Sequence, residues 1–162
     1  MVDYMSLEEQ VDKDFERARR RALIGRVMAR LRGDPGGNVM VSFDEVRRSA
    51  RADNRVHRGR RLVEASKIVG SVGRYREFDH RFMPTKANPS KWKRVDRAFR
   101  NGIDLAPVSL YKIGGSYFVH DGNHRVSVAR FHGVEWMDAE VTEFRPRLAD
   151  AAAAASRASS AA

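Results

Sequence analysis

The residues with the clearest chemical potential form one short run, Asp121-Gly122-Asn123-His124-Arg125, between a strand-like and a helix-like segment. The first N–H groups of a helix have no intrahelical partners, and the helix dipole adds partial positive charge at that end. Here the helix begins directly after a strand. Such a helix start binds anions, phosphate above all. Gly122 lets a ligand approach the backbone, and Arg125 can add bidentate contacts. We therefore predict a phosphate site at this turn.

Two residues of the turn are candidates for catalysis. His124 can donate a hydrogen bond or titrate near neutral pH. Asp121 cannot bind an anion directly, but it can orient a neighbour or hold a metal that bridges phosphates. A purely structural interpretation stays open, in which Asp121 and Asn123 cap the helix, Gly122 forms the turn and Arg125 pairs with a surface acid. A metal site at His120, Asp121 and His124 is less favoured, because the two histidines bracket the turn and do not share a helix face.

A long helix is predicted near the N-terminus. Ser6 and Glu9 fit a capping box, and the helix should run from about residue 7 to 32, where Asp34-Pro35-Gly36-Gly37 ends it. Its apolar residues follow helical spacing, which we interpret as one stripe: Leu7, Val11, Phe15, Ala18, Ala22, Leu23, Val27 and Leu31. A single stripe must be covered either by the rest of the chain or by a partner helix.

The remaining pattern predicts short strands and helices around the turn. Two β-prone runs joined by Gly114-Gly115 indicate a hairpin that leads into residue 121. Before the hairpin we expect a short strand at 39–41, a helix at 43–50, a polar loop at 51–60 and a strand at 62–65 that continues towards 69. A glycine-bearing loop at 70–76, a loop at 82–89 and a helix from Ser90 to Asn101-Gly102 should follow. After the hairpin at 108–119 we expect a helix that ends at Gly133, a strand at 137–144 and a low-complexity tail from 149.

Composition narrows the function classes. The net charge is +10, and it is concentrated in residues 13–32, 45–61 and 74–100, which favours polyanionic partners such as DNA or RNA. The chain has no cysteine, which excludes disulfides, thiolate metal sites and cysteine nucleophiles and fits the cytoplasm. We find no apolar run long enough for a membrane span and no signal-peptide pattern at the N-terminus, so we expect no membrane partner.

Residues 106–143, APVSLYKIGGSYFVHDGNHRVSVARFHGVEWMDAEVTE, resemble the ParB/sulfiredoxin superfamily. The matching features are a proline, a hairpin, a Gly-x-x-Arg turn at Gly122 to Arg125, a helix, a glycine and a final strand. Upstream, VEASKIVGSVGRYREF at 63–78 is similar to the first strand and arginine-bearing box of that family. The resemblance covers about residues 62–144 and implies an α+β fold: a small mixed sheet with packed helices, here with a long N-terminal helix added.

The resemblance also implies a function. ParB proteins bind and hydrolyse CTP at this turn, sulfiredoxins bind ATP, and some relatives are kinases or nucleases. Carried over by position, the phosphate-binding and nucleotide-binding residues are Gly122, Asn123, His124 and Arg125 of the turn, Arg74 and Arg76 of the box, and Gly70 and Ser71 through their backbone. Tyr75, Phe78 and Arg81 are the candidates for contacting nucleic acid. The expected ligand is CTP, ATP or ADP with Mg²⁺.

This sequence also departs from the family pattern. Asn123 stands where sulfiredoxins have cysteine, which excludes their thiol chemistry. The ParB pattern has Glu-Arg-Arg where this chain has Asn123-His124-Arg125, and the loss of the acidic residue puts hydrolysis in doubt but need not harm binding. We divide the chain into a basic helical extension at 1–61, the domain at 62–148 and an Ala/Ser tail at 149–162. We predict a nucleotide-binding domain, with a DNA/RNA-binding module and a Mg²⁺-dependent phosphotransferase, NTPase or nuclease as alternatives, and a homodimer through the N-terminal helix.

Overall fold

The computed structural model describes residues 4–160, and within 149–160 it describes the side chains of residues 152 and 155–159 only. The strands are β1 Val41–Ser42, β2 Asn54–Glu64, β3 Ile68–Ser71, β4 Val108–Ile113, β5 Ser116–Asp121 and β6 Trp136–Arg145. The helices are α1 Leu7–Leu31, α2 Phe43–Ser49, α3 Pro89–Arg100, α4 Asn123–Phe131 and α5 Leu148–Ser160, with short 3₁₀ turns at Pro35–Asn38 and Ala65–Lys67.

The strands form one mixed sheet in the order β1-β3-β5-β4-β6-β2. This confirms the predicted α+β class with a small mixed sheet and a long N-terminal helix. The β4–β5 hairpin is also confirmed, because Ile113 pairs with Ser116 across Gly114-Gly115. None of the helices within residues 4–160 combines the length and the apolar character that crossing a membrane requires.

The pairing of β3 with β5 brings two separate loops to the same edge of the sheet. These strands are parallel, with Ser71 opposite Val119. The carboxyl ends of parallel neighbours lie side by side, so the loop after β3 and the turn after β5 emerge together. This topology explains why Arg74, which follows β3, lies near Gly122, which follows β5.

The two faces of the sheet carry separate apolar clusters. Alternation along β5 directs Val119 to the larger cluster and Phe118 to the smaller one. The larger cluster packs the sheet against α1, α3 and α4, and the smaller one packs it against Phe43 of α2. Within the larger cluster, Trp92 of α3 donates a buried hydrogen bond through Nε1 to Ser127 Oγ of α4 at 2.9 Å. This bond fixes α3 beside α4.

The predicted polar loop at 51–60 is wrong, because β2 begins at Asn54 and pairs with β6 along its whole length. β2 lies at the sheet edge, so its side chains are mostly exposed and arginine-rich, and no apolar alternation marks it. Cross-strand ion pairs support it instead, including Arg60 with Asp138 and Arg58 with Glu143. The domain boundary at residue 61 stays a prediction, although β1 and most of β2 precede it and belong to the sheet.

α1 is held on the domain through its N-terminal half. Its capping box at Ser6 and Glu9 is confirmed. Phe15 packs on Trp92 with ring centroids 5.5 Å apart. Asp14 is 2% exposed and accepts hydrogen bonds from Arg100 of α3, with the Oδ2 to Nε distance at 2.8 Å. The N-terminal half of the helix therefore packs within the chain, as one of the two predicted alternatives requires.

The Asp14–Arg100 ion pair should be the main polar contact that fixes α1 to α3. We expect Asp14→Ala to lower the free energy of unfolding by about 2 kcal/mol, because it removes the charge-assisted hydrogen bonds of Arg100 to this buried carboxylate and leaves Asp96, 3.6 Å away, as the remaining acid. Urea unfolding at pH 7 measures this. Glu16→Ala, which removes an exposed carboxylate from the same helix, is the control. Equal stability of the two variants would contradict the assignment.

Candidate anion-binding site

The N-terminus of α4 has no cap from a side chain. Gly122 occupies the N-cap position in a left-handed conformation with φ 104° and ψ 26°, and it offers no side-chain oxygen. The Val126 N–H donates to the Gly122 carbonyl oxygen at 3.0 Å, which closes the first helical turn. The N–H groups of the three residues between them have no intrahelical acceptor. They and the helix dipole give this end partial positive charge.

A cavity of about 490 Å³ lies at this helix start. It includes six residues that the sequence predicts for the site, the five of the turn and Arg74, and brings them together with residues of α3. The lining consists of Gly73, Arg74, Lys91, Arg94, Val95, His120, Asp121, Gly122, Asn123, His124 and Arg125. The turn after β5, the loop after β3 and one face of α3 therefore share one cavity.

The cavity is electropositive. Lys91 and Arg94 are three residues apart on α3, so they project from the same face of that helix. Both are exposed, and neither side chain has a hydrogen bond or ion pair with another residue in the described part of the chain. Arg74 completes the set from the loop after β3 and pairs with Glu77 at 2.9 Å. Two unpaired cations beside an uncapped helix start attract an anion.

Asn123 is 6% exposed, and its side-chain Oδ1 has no hydrogen-bond partner among the described residues. A buried polar atom without a partner costs about 1–3 kcal/mol. A carboxamide carries a donor and an acceptor, and rotation about its last bond exchanges them. Asn123 can therefore offer either group to a ligand in the cavity that it lines. This unpartnered group is a second indication, independent of the helix start, that the cavity accepts a ligand.

His124 is half-buried, with its ring edge-on to Phe78 at a centroid distance of 5.4 Å. Its Nε2 atom has no partner among the described residues. Burial lowers the pKa of His124 below 6.5, the charges of Arg74 and Lys91 lower it further, and Glu77 opposes them. The imidazole is therefore neutral at pH 7, and a bound anion would raise its pKa.

Arg125 holds the turn in place. One terminal nitrogen, Nη1, donates to the carbonyl oxygens of Ala106 at 2.6 Å and Pro107 at 2.9 Å. The other, Nη2, donates to Asp121 Oδ2 at 2.5 Å. Most of the guanidinium is thus used inside the protein, with 18% of the side chain exposed. The predicted bidentate grip of Arg125 on a phosphate stays a prediction. In this structure Nη1 is held by backbone carbonyl oxygens and Nη2 by Asp121, so Arg125 positions the turn.

Gly70 and Ser71 lie in β3 outside the cavity, which corrects their predicted contact with phosphate. A Cβ atom at Gly70 would lie 2.1 Å from the Val41 carbonyl oxygen, so this glycine allows β1 to pack against β3. Ser71 Oγ donates to the Val119 carbonyl oxygen at 3.2 Å and accepts from the Arg74 N–H at 3.3 Å. Ser71 therefore positions Arg74.

The other residues predicted upstream are dispersed. Phe78 is 2% exposed, so the prediction that it contacts nucleic acid is wrong: the ring belongs to the core. The Arg76 guanidinium lies over the Tyr75 ring at 5.7 Å, and neither residue lines the cavity. Arg81 lines a different cavity, beside α1. Of the arginines predicted upstream, Arg74 alone reaches the α4 start.

Sequence reasoning missed Lys91, Arg94 and His120 as cavity residues. Lys91 and Arg94 carry a usable signal, since they lie at helical spacing on the face of α3 opposite the buried Asp96. The spacing identifies that face of α3 as basic, but it does not show that the face lies beside the start of α4. His120 stacks on Tyr111 with ring centroids 4.5 Å apart.

A separate cluster of metal-ligand types lies beneath α1, where donor atoms of Asp14, Asp96 and His132 are within 4.8 Å of one another. His132 Nε2 lies 2.6 Å from Asp96 Oδ1, and Arg100 Nε lies 3.6 Å from Asp96 Oδ2. The Arg100 guanidinium contacts both carboxylates, and Arg17 Nη1 lies 3.9 Å from Asp14 Oδ1. We therefore assign the cluster to the ion-pair network that joins α1, α3 and α4.

Comparisons with known proteins do not establish a family for this chain. No known protein-family profile matches the chain, and no curated protein matches it. Among solved structures, a sulfiredoxin from Arabidopsis thaliana is similar, with 17% identity over 51% of this chain and 82% of that chain and a TM-score of 0.40. Membership in the ParB/sulfiredoxin superfamily therefore stays a prediction, and the function proposed below is based on the cavity itself.

A side chain at Gly122 should destabilise the turn. A Cβ atom there would lie 2.8 Å from Val108 Cγ1, and φ is in the range that favours glycine. We expect Gly122→Ala to lower the free energy of unfolding by about 1–3 kcal/mol. Gly115→Ala is the control, since no atom lies within 4 Å of its added Cβ. Thermal or urea unfolding measures both, and a neutral Gly122→Ala would contradict the geometry.

Proposed function

We propose that the chain binds a nucleoside di- or triphosphate through its phosphate groups at the α4 start. The observation that carries this proposal is the uncapped N-terminus of α4, facing a cavity with the unpartnered Asn123 and the unpaired cations Lys91 and Arg94. Exposed N–H groups bind phosphate oxygens, and lysine and arginine supply the opposing charge.

Several phosphates fit this arrangement better than a single small anion does. The positive groups come from three directions: the α4 start, Lys91 and Arg94 on α3, and Arg74 after β3. The volume of about 490 Å³ lies within the range of sites for small molecules and cofactors. His120, stacked on Tyr111, offers an aromatic surface at the cavity. The apolar lining is slight, so the base identity among CTP, ATP and ADP stays open.

Mg²⁺ belongs to the proposal as a companion of the phosphates. Mg²⁺ usually keeps several waters and binds through one or two carboxylates together with substrate phosphates. Asp121 is the carboxylate in the lining, and its side chain is 74% exposed. Its carboxylate also accepts from Arg125, so one oxygen remains for the metal or its waters.

The two alternatives have weaker support. A phosphotransferase, NTPase or nuclease would need Asp121 or His124 as an active group, and one Asp121 oxygen is already held by Arg125. A DNA- or RNA-binding module would use the Arg-rich face. On β2, Arg58 and Arg60 are already paired with carboxylates, so the arginines of α1 would have to supply most of that binding. The absence of cysteine keeps the cytoplasm as the expected compartment.

Isothermal titration with CTP, ATP, ADP and inorganic tripolyphosphate, each with and without Mg²⁺, tests the proposal. We expect binding of at least one nucleotide and of tripolyphosphate. Lys91→Ala and Arg94→Ala should each weaken it about tenfold, the effect of losing one charge-assisted hydrogen bond. Both variants should fold as the wild type does, because both side chains are exposed and unpaired.

Lys86→Ala is the matched control, since Lys86 is exposed and lies outside the cavity, and its side chain has no hydrogen bond or ion pair with another described residue. It should bind as the wild type does. Absence of heat with every ligand at millimolar concentration would overturn the proposal. Equal weakening by Lys86→Ala and Lys91→Ala would show that only net charge matters, which favours the polyanion-binding alternative.

A further inference from the structure

The C-terminal half of α1 exposes an apolar surface that the rest of the chain does not cover. Five large side chains there are between 44% and 76% exposed: Leu23, Ile24, Val27, Met28 and Leu31. We call these five residues the α1 stripe. Contiguous exposed apolar surface of this kind marks an interaction site in many proteins.

The α1 stripe lies on the side of the helix opposite the docked face. Val11, Phe15, Ala18, Ala22 and Ala29 are buried and follow helical spacing along one face. Leu23, Val27 and Leu31 are four residues apart, so they share a different face. The single apolar stripe predicted for this helix is therefore wrong. The predicted residues up to Ala22 and those from Leu23 onward lie on opposite faces of the helix, and the domain covers only the first group.

A groove runs beside the α1 stripe. The cavity there has a volume of about 660 Å³. Ile24 and Met28 form its apolar wall, and Asn38 and His80 lie across from them, joined by a 2.9 Å contact between Asn38 Oδ1 and His80 Nδ1. The surface is therefore concave along one edge, with room for a side chain of a partner.

Arginines border the α1 stripe on both sides. Arg26 and Arg30 lie along one side, and neither has a hydrogen bond or ion pair from its side chain to another described residue. Arg21 and Arg32 lie along the other side and donate only to carbonyl oxygens, which leaves their charges without a carboxylate. Residues 17–33 contain no Asp or Glu. The stripe is thus apolar at its centre and positive at both borders.

We propose that the α1 stripe docks an amphipathic helix of a partner protein, with apolar residues along its centre and Asp or Glu on both sides. Such a helix would cover the five apolar side chains and pair with the bordering arginines. Complementary charge of this kind selects a partner and speeds association. Helix-in-groove binding is an established mode of peptide recognition.

Other occupants fit the surface less well. A second copy would bring arginine against arginine, because this part of α1 has no acid to offer, so the homodimer predicted through α1 is disfavoured at this face. Nucleic acid would leave the apolar centre uncovered. A flat anionic membrane could not enter the groove beside Ile24 and Met28, and the α1 stripe lacks the aromatic residues typical of membrane-surface helices.

Fluorescence anisotropy with two designed peptides tests the proposal. Both peptides span the length of the α1 stripe and carry leucines at the same helical spacing. In one peptide the leucines are bordered by glutamate, and in the other they are bordered by lysine. The full chain should bind the glutamate peptide at least about tenfold more tightly than the lysine peptide. Val27→Glu should abolish this binding, and the double variant Arg26→Glu, Arg30→Glu should reverse the preference between the peptides.

Leu62→Glu is the matched control, because Leu62 is 71% exposed on β2, away from α1. It should leave peptide binding unchanged, as should Lys91→Ala, which separates this surface from the nucleotide site. Equal affinity for the two peptides, or no binding at millimolar peptide, would overturn the proposal. So would a homodimer in sedimentation that Val27→Glu dissociates, or binding to anionic vesicles that Val27→Glu abolishes.

Discussion

The contact of Arg125 with the carbonyl oxygens of Ala106 and Pro107 fixes the turn on which the site depends. The same guanidinium holds Asp121, the nearest carboxylate to the α4 start. Gly122, in the N-cap position, has no side-chain oxygen to give. The helix start is therefore held in place but uncapped, because Gly122 has no side-chain acceptor and the Asp121 carboxylate is engaged by Arg125. A bound anion can accept the hydrogen bonds of the free N–H groups.

The positive charge at this helix start is assembled by packing between helices that are distant in sequence. The hydrogen bond from Trp92 to Ser127 places α3 beside α4 and directs Lys91 and Arg94 to the cavity. α1 in turn packs on α3 through Phe15 and Asp14. The N-terminal helix thus supports the site without contacting it, and its uncovered half remains available for a partner.

Local signals predicted much of the fold and the centre of the site. The capping box of α1, the Gly114-Gly115 hairpin and the turn at Gly122 depend on neighbouring residues, and each was predicted at its place. Side-chain contacts between distant segments could not be predicted in this way. Helical spacing separates the two apolar faces of α1, but it cannot say which face the domain covers. No local pattern reveals that Arg125 turns inward to Ala106. β2 was missed because an edge strand of arginines lacks the alternation on which strand prediction depends.

The amide resonances of Asn123, His124 and Arg125 give the most direct test of the central claim. A titration of the ¹⁵N-labelled chain with inorganic tripolyphosphate reports on these N–H groups one by one. If the α4 start is the phosphate site, these three amides should show the largest, saturable shifts, and Lys91→Ala should weaken the response. Shifts spread over the arginine-rich surfaces, with these amides unmoved, would contradict the account.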